Sequence, residues 1–218
     1  MLFIYYIMIG QNAKSNNTSQ IFEGKTIVHD FDRTELKKAP KRIVILDDLY
    51  GEILGPLDIT LIGATTGQTD SQDFSTLYKK QYKDKKVISV GWQQNPDLDK
   101  IAELKPDLIL MTGEREDLYE DLSEIAPTVG YYINTNENWD YYETSPKVAE
   151  IFDKRGEMKK DLDRVDAKEA VFEENVKAKF GSQKLMYLSV TDNEIRYYAY
   201  GHFGYLYDTY KFNRAETL

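Results

Sequence analysis

The sequence predicts an α/β fold in two lobes, each carrying a mostly parallel sheet, with a long helix joining them. Three observations carry that expectation. Apolar runs of strand length alternate with helical periodicity from residue 26 to residue 133, which is the pattern of a parallel sheet covered on both faces. Residues 142–180 then read as helix with no strand between. A fresh apolar run begins at Lys184, where a second α/β unit opens.

The elements follow in order. Residues 26–31 predict a first short strand, and Arg42-Ile43-Val44-Ile45-Leu46 is a continuous apolar run of the buried parallel kind. Leu49, Ile53, Leu54 and Leu57 share one helical face before a strand over 60–64. A polar connection runs through Lys86 to a strand over 87–91. Asn95 is read as the cap of a helix over 96–104 whose first position is Pro96, because proline's missing N–H costs nothing there, and Pro106 stops it. A strand over 107–111, a helix over 116–124 and a strand over 128–133 complete the first lobe, placed at 21–138. The connector is assigned to 139–156, with a break near Gly156, and the second lobe to 157–218. Met158, Leu162, Val165, Phe172, Val176 and Phe180 recur on one face of its helix, which Gly181 ends. About 60 residues leave this second lobe incomplete.

Composition narrows the function. With 41% hydrophobic and 30% charged residues over 218 positions the chain is globular. A net charge of -9 argues against a nucleic-acid partner, since phosphate binding needs a cationic face. No cysteine and two histidines, His29 and His202, argue against a protein-built zinc or di-iron site and leave no intrinsic cofactor. Any iron is expected to arrive inside a ligand of its own. Residues 1–10 are apolar but too short to cross a bilayer and lack a basic leader, so they read as a remnant export segment, followed by a flexible tether over 11–20. Lacking cysteine, these residues give no support for a lipid anchor, and contact with the membrane is expected to be peripheral at most.

The run Asn95-Pro96-Asp97-Leu98-Asp99-Lys100-Ile101-Ala102-Glu103-Leu104-Lys105-Pro106-Asp107-Leu108-Ile109-Leu110, with Leu122-Ser123-Glu124-Ile125-Ala126-Pro127-Thr128-Val129 after it, closely resembles a segment of the substrate-binding proteins of iron-siderophore ABC importers. Those proteins are two-lobed and helix-linked. The resemblance spans the whole first lobe and about half of the second. It implies a protein outside the cytoplasmic membrane that binds a ferric siderophore, carrying iron(III) within that ligand, and delivers it to an ABC transporter permease.

Ligands of open parallel sheets sit outside the carboxyl ends of the strands. The candidate loops are therefore Asp47-Asp48-Leu49-Tyr50, Thr65-Thr66-Gly67-Gln68, Trp92-Gln93-Gln94 and Thr112-Gly113-Glu114-Arg115, faced from the second lobe by the segment from Tyr198 through His202 and Phe203 to Tyr205. Seventeen tyrosines suit an aromatic-lined cleft. The ligand-binding residues selected are Tyr50, Thr66, Trp92, Arg115, Tyr198, His202, Phe203 and Tyr205. Arg115 stands in a context similar to the family's Ser-Gly-Arg, where the resemblance implies contact with an anionic iron complex. Two departures temper that implication. Gly63-Ala64-Thr65-Thr66-Gly67 replaces a Gly-x-Pro-Lys-Gly loop, and Gly201-His202-Phe203-Gly204 replaces Gly-x-Arg-Phe-Gly, so a hydroxamate or mixed chelate stands beside the catecholate. The family's acidic permease contacts fall on Glu52 and Asp208.

Other readings remain. Haem and cobalamin are carried by proteins of the same architecture, and an incomplete second lobe is also what a degenerate fragment of a binding protein would show. Asp47 and Asp48 after a strand are similar to phosphotransfer acid pairs, but no phosphate-binding Gly-x-x-x-x-Gly-Lys loop and no Gly-x-Ser-x-Gly elbow accompanies them, so an enzyme is not expected.

Overall fold

The computed structural model describes residues 24–66, 86–132, 141–181, 183–186, 188–191, 193–197, 204–208 and 211–214. A hairpin of β1 (Lys25–Val28) and β2 (Arg33–Leu36) comes first. The main sheet follows: β3 (Ile43–Ile45), β4 (Leu61–Thr66), β5 (Ile88–Trp92), β6 (Asn95–Pro96), β7 (Leu108–Thr112) and β8 (Thr128–Tyr131). Their spatial order is β6-β5-β4-β3-β7-β8. All pairings are parallel except β5 with β6.

Alternation along the central strands explains the layering. Ile43, Ile45, Leu108 and Leu110 point to one face, where they pack with Tyr50, Ile53, Leu54, Val148 and Ile151. Val44, Leu46, Ile109 and Met111 point to the other, against Ile101 and Leu122. Both faces are covered by helices because every second residue of an already apolar strand needs its own apolar partner. The helices are α1 (Leu49–Leu54), α2 (Leu98–Glu103), α3 (Tyr119–Ile125), α4 (Tyr141–Ile151) and α5 (Arg155–Phe180). Beyond them lie β9 (Lys184–Leu185), β10 (Leu188–Val190), β11 (Ile195–Tyr197), α6 (Gly204–Asp208) and β12 (Asn213–Arg214). There β9 pairs with β12 in parallel and β10 with β11 antiparallel.

Several boundaries differ from those expected, for local reasons. Asn95 and Pro96 are not the cap and first turn of a helix but pair with Trp92 and Gly91. The cap is Asp97, whose side chain accepts from the Lys100 N–H at 3.0 Å; a carboxylate two residues on satisfies the orphan donor and lets Pro96 close a sheet edge. The helix expected over 116–124 begins as a 3-10 turn, Gly113–Leu118. The break in the helical region falls at 152–154, where Asp153 adopts φ 57, and Gly156 lies inside α5. Within the 139–156 stretch, α4 buries Val148, Ala149 and Ile151 in the same core as β3 and β7, and Met158 of α5 joins them. The long helix is thus α5, with α4 packed on the first lobe. Only part of its expected apolar stripe is covered: Met158 and Val176 are buried, while Phe172 and Phe180 are exposed. The tether over 1–20 lies outside the described residues.

The β1–β2 hairpin sits over β8. Thr34 Oγ1 donates to the Thr128 carbonyl at 2.5 Å, and the Asp30 N–H to that of Gly130 at 3.1 Å. His29 is buried beneath it. Its Nδ1 accepts from the N–H groups of Phe31 and Gly130, both at 3.4 Å, which leaves Nε2 to donate to Thr34 Oγ1 at 3.0 Å. Burial lowers its pKa, as a neutral imidazole with both nitrogens engaged requires. Gly130 makes room for Phe31: a Cβ there would lie 2.1 Å from the Phe31 ring.

Candidate ligand-binding site

Chain order reverses across the β3–β7 pair, since β3 leads outward to β4 and β5 before the chain returns to β7 on its other side. Such a switch point opens a crevice at the carboxyl edge of the sheet. Asp47 stands there, two residues after β3 and only 3% exposed. Its carboxylate accepts from the Leu49 N–H at 2.9 Å, from Gln93 Nε2 at 2.6 Å and from Thr112 Oγ1 at 3.3 Å. One buried side chain therefore ties together the ends of β3, β5 and β7. Burial pushes its carboxyl up to about 7, the Leu49 N–H works against this, and the nearby acids Asp48 and Glu114 add to the rise.

Around this point the rim is polar and aromatic. Trp92, the last residue of β5, is half-buried and pairs with Thr66 and Asn95. Gln93 Nε2 also reaches Glu114 Oε2 at 3.4 Å. Arg115 is held by Asp117 through both prongs of its fork, Nε to Oδ1 at 3.0 Å and Nη2 to Oδ2 at 2.8 Å, while Nη1 donates to the Gln94 carbonyl. Asp117 is in turn held below the usual carboxylate range by that arginine. Tyr132, 52% exposed, packs against Gly113, where a Cβ would come within 2.2 Å of its ring.

Two residues selected from the sequence do not face a cleft. Tyr50 is fully buried in the core beneath α1, its hydroxyl donating to the Met111 carbonyl at 2.5 Å. Thr66 is 2% exposed at the end of β4, its hydroxyl on the Gly91 carbonyl at 3.3 Å. Each completes the sheet edge from inside because a ring or methyl adjoining apolar strands is pulled into the layer. Trp92 and Arg115 do sit on the rim. Tyr198, His202 and Phe203 lie outside the described residues, and Tyr205 falls on α6. Glu52 is half-buried on α1, its carboxyl raised by burial and by Asp48, and Asp208 is exposed at the end of α6. Gln93, Glu114 and Tyr132 were not selected. Tyr132 gives no local signal beyond following a strand; Gln93 lay within a candidate loop and is marked out only by its bond to an acid 46 positions away. A separate hollow of about 280 Å³, lined by Lys25, Ile27, Tyr131, Lys147 and Glu150 among others, contains none of the selected residues.

Among the described residues no group of three or more metal-ligating side chains is assembled, and no helix is long and apolar enough to cross a membrane.

A switch-point crevice at the edge of a covered parallel sheet, followed by a 26-residue helix and a second α/β unit, is the architecture of a solute-binding protein. The chain belongs to the periplasmic binding protein family, whose pattern matches residues 43–215, and whose members are extracytoplasmic binding proteins rather than enzymes. It is 30% identical over 159 residues to the petrobactin-binding protein YclQ of Bacillus subtilis, covering 72% of this chain and 49% of that one. The crystal structure of Staphylococcus aureus SirA complexed with staphyloferrin B matches with a TM-score of 0.71 at 28% identity, over 87% of this chain and 64% of the other. The siderophore-binding protein BauB, bound to acinetobactin and ferric iron, matches with a TM-score of 0.73 over 90% and 69%; at 22% identity that likeness shows the fold. The chain spans about half the length of the curated relatives it matches.

Proposed function

We propose that this protein binds a ferric siderophore outside the cytoplasmic membrane and delivers it to an ABC permease, without catalysing a reaction. The observation that supports the reading best is the carboxyl edge of the sheet, where Asp47 gathers the ends of β3, β5 and β7, Gln93 reaches Glu114, and Arg115 bonds to the Gln94 carbonyl beside Trp92. An aromatic and polar rim suits an organic chelate whose iron is already coordinated, so the protein need supply no metal ligand of its own. The names of the relatives, petrobactin-binding and staphyloferrin-bound among them, favour the same class.

In this reading Tyr198, His202, Phe203 and Tyr205 are the second lobe's ligand-binding residues, and Glu52 and Asp208 are the acids that meet the permease. Iron(III) is cargo held by the siderophore. Titration of intrinsic fluorescence tests the proposal: ferric siderophores quench tryptophan emission saturably, and Trp92→Phe, which leaves Trp139, removes most of that quenching. Quenching unchanged by Trp92→Phe would move the site elsewhere, and saturable binding of haem or cobalamin in place of ferric chelates would replace the ligand class.

A further inference from the structure

The polarity of the rim is set by one amide. Gln93 Nε2 lies 2.6 Å from Asp47 Oδ2 and 3.4 Å from Glu114 Oε2. Above the Asp47 titration near 7 its carboxylate oxygens accept and do not donate, so they fix which end of the amide is nitrogen. Both N–H groups are spent on acids. The carbonyl oxygen, Gln93 Oε1, has no hydrogen bond among the described residues and is the end left to a ligand. Further acids stand beside Asp47: Asp48 and Glu114, whose negative charge adds to the rise of its pKa. The one guanidinium on this rim among the described residues, that of Arg115, has its fork filled by Asp117 and a further N–H on Gln94. A cation whose charge is matched and whose paired donors are engaged has little left for an anionic guest.

On the siderophore reading above, we propose that Gln93, oriented by Asp47, is the specificity-determining residue of the first lobe, and that it selects ferric chelates with hydrogen-bond donors or a positive charge on their periphery over polyanionic ones. The hydroxamate class with a free amine fits this rim. A carboxylate-rich or catecholate chelate would face the carbonyl of Gln93 and the acids beside it, with the Arg115 guanidinium already paired to Asp117, and like-charge juxtaposition is an effective means of rejecting a wrong partner.

Three ferric chelates separate the outcomes on the full chain: a linear ferric trishydroxamate ending in a free ammonium, the same molecule N-acetylated, and ferric dicitrate. Equilibrium titration of the unaltered protein at pH 8.5, where Asp47 is ionised, is expected to rank them in that order, with at least tenfold between the first and the last. Added sodium chloride should weaken the ammonium form and strengthen the dicitrate, because screening removes both attraction and repulsion. Gln93→Met keeps the length of the side chain and removes the carbonyl; it should cost the ammonium chelate about tenfold or more, the scale of one charge-assisted hydrogen bond, and leave dicitrate no weaker. Dicitrate binding as tightly as the ammonium form to the unaltered protein, or a Gln93→Met loss equal for all three, overturns the inference while leaving siderophore binding standing. Binding of none of the three, or of their iron-free forms equally well, overturns the siderophore reading and this inference with it.

Discussion

Asp47→Asn should make the protein more resistant to base. Ordinary aspartate titrates at 3.8, and in the fold burial pushes this carboxyl up to about 7. A raised pKa means that the folded state binds the proton more tightly than the unfolded chain. The group's contribution to stability is therefore full below pH 3.8 and is lost progressively as the pH rises through 7. Between pH 5 and pH 8 the unfolded chain is ionised throughout, whereas the folded one must give up its proton, so stability falls by about 3 kcal/mol over that interval. Asparagine keeps the shape and cannot ionise. It disturbs the bonds to Leu49, Gln93 and Thr112 at a cost of about 1–3 kcal/mol, but that cost is the same at both pH values. Urea denaturation of both proteins at pH 5 and pH 8 reads the difference: the variant should gain about 3 kcal/mol relative to the unaltered protein on going to pH 8. A variant equally destabilised at both would mean that Asp47 ionises freely and that the buried tie between the three strands is wrong.

Other outcomes follow from the packing. Gly130→Ala drives a methyl to within 2.1 Å of the Phe31 ring and should cost about 1–3 kcal/mol in a urea unfolding experiment, whereas Gly156→Ala, with open space around it, should stabilise by about 0.5 kcal/mol. His29 has a lowered pKa, so its contribution is constant above about 6.5 and falls away toward acid as the unfolded chain takes up a proton the fold refuses; in an Asp47→Asn, Glu52→Gln background, where the opposing slopes of the two raised carboxyls are gone, the urea midpoint should drop between pH 7 and pH 5. If the lobes divide where the core does, limited proteolysis should leave a resistant piece that includes α4 and ends beyond Met158, because Val148, Ala149, Ile151 and Met158 share the core of β3 and β7; a piece ending before Tyr141 would show that α4 is a free connector.

Local signals carried most of the architecture. Apolar runs such as Ile43-Val44-Ile45 and Leu108-Ile109-Leu110 read as buried parallel strands because both faces must be apolar to lie between two helix layers, and they are. The hairpin strand Arg33–Leu36 escaped notice, since its alternation of exposed and buried positions is only four residues long. Asn95 reads as a cap in sequence, and only its pairing with Trp92 in the sheet moves the cap to Asp97. The site was legible as a set of loops but not as side chains. Tyr50 and Thr66 follow strands as ligand residues do, yet they turn inward, and no local pattern distinguishes the two directions. Asp47 and Gln93 acquire meaning from a contact across the sheet, as do Gly113 and Tyr132, and a contact of that kind depends on strand order rather than on neighbours in the chain.

The most direct test of ligand binding at this crevice uses the iron itself. High-spin iron(III) broadens the amide resonances of nearby residues, and the gallium(III) complex of the same siderophore supplies a diamagnetic control. Titrated into the nitrogen-15-labelled protein, a ferric trishydroxamate should erase the resonances of residues 47–49, 92–94 and 112–115 first, while those of Lys25, Ile27 and Lys147 around the separate hollow persist. Broadening centred on that hollow, or spread evenly over the surface, would contradict a site at the carboxyl edge of the sheet.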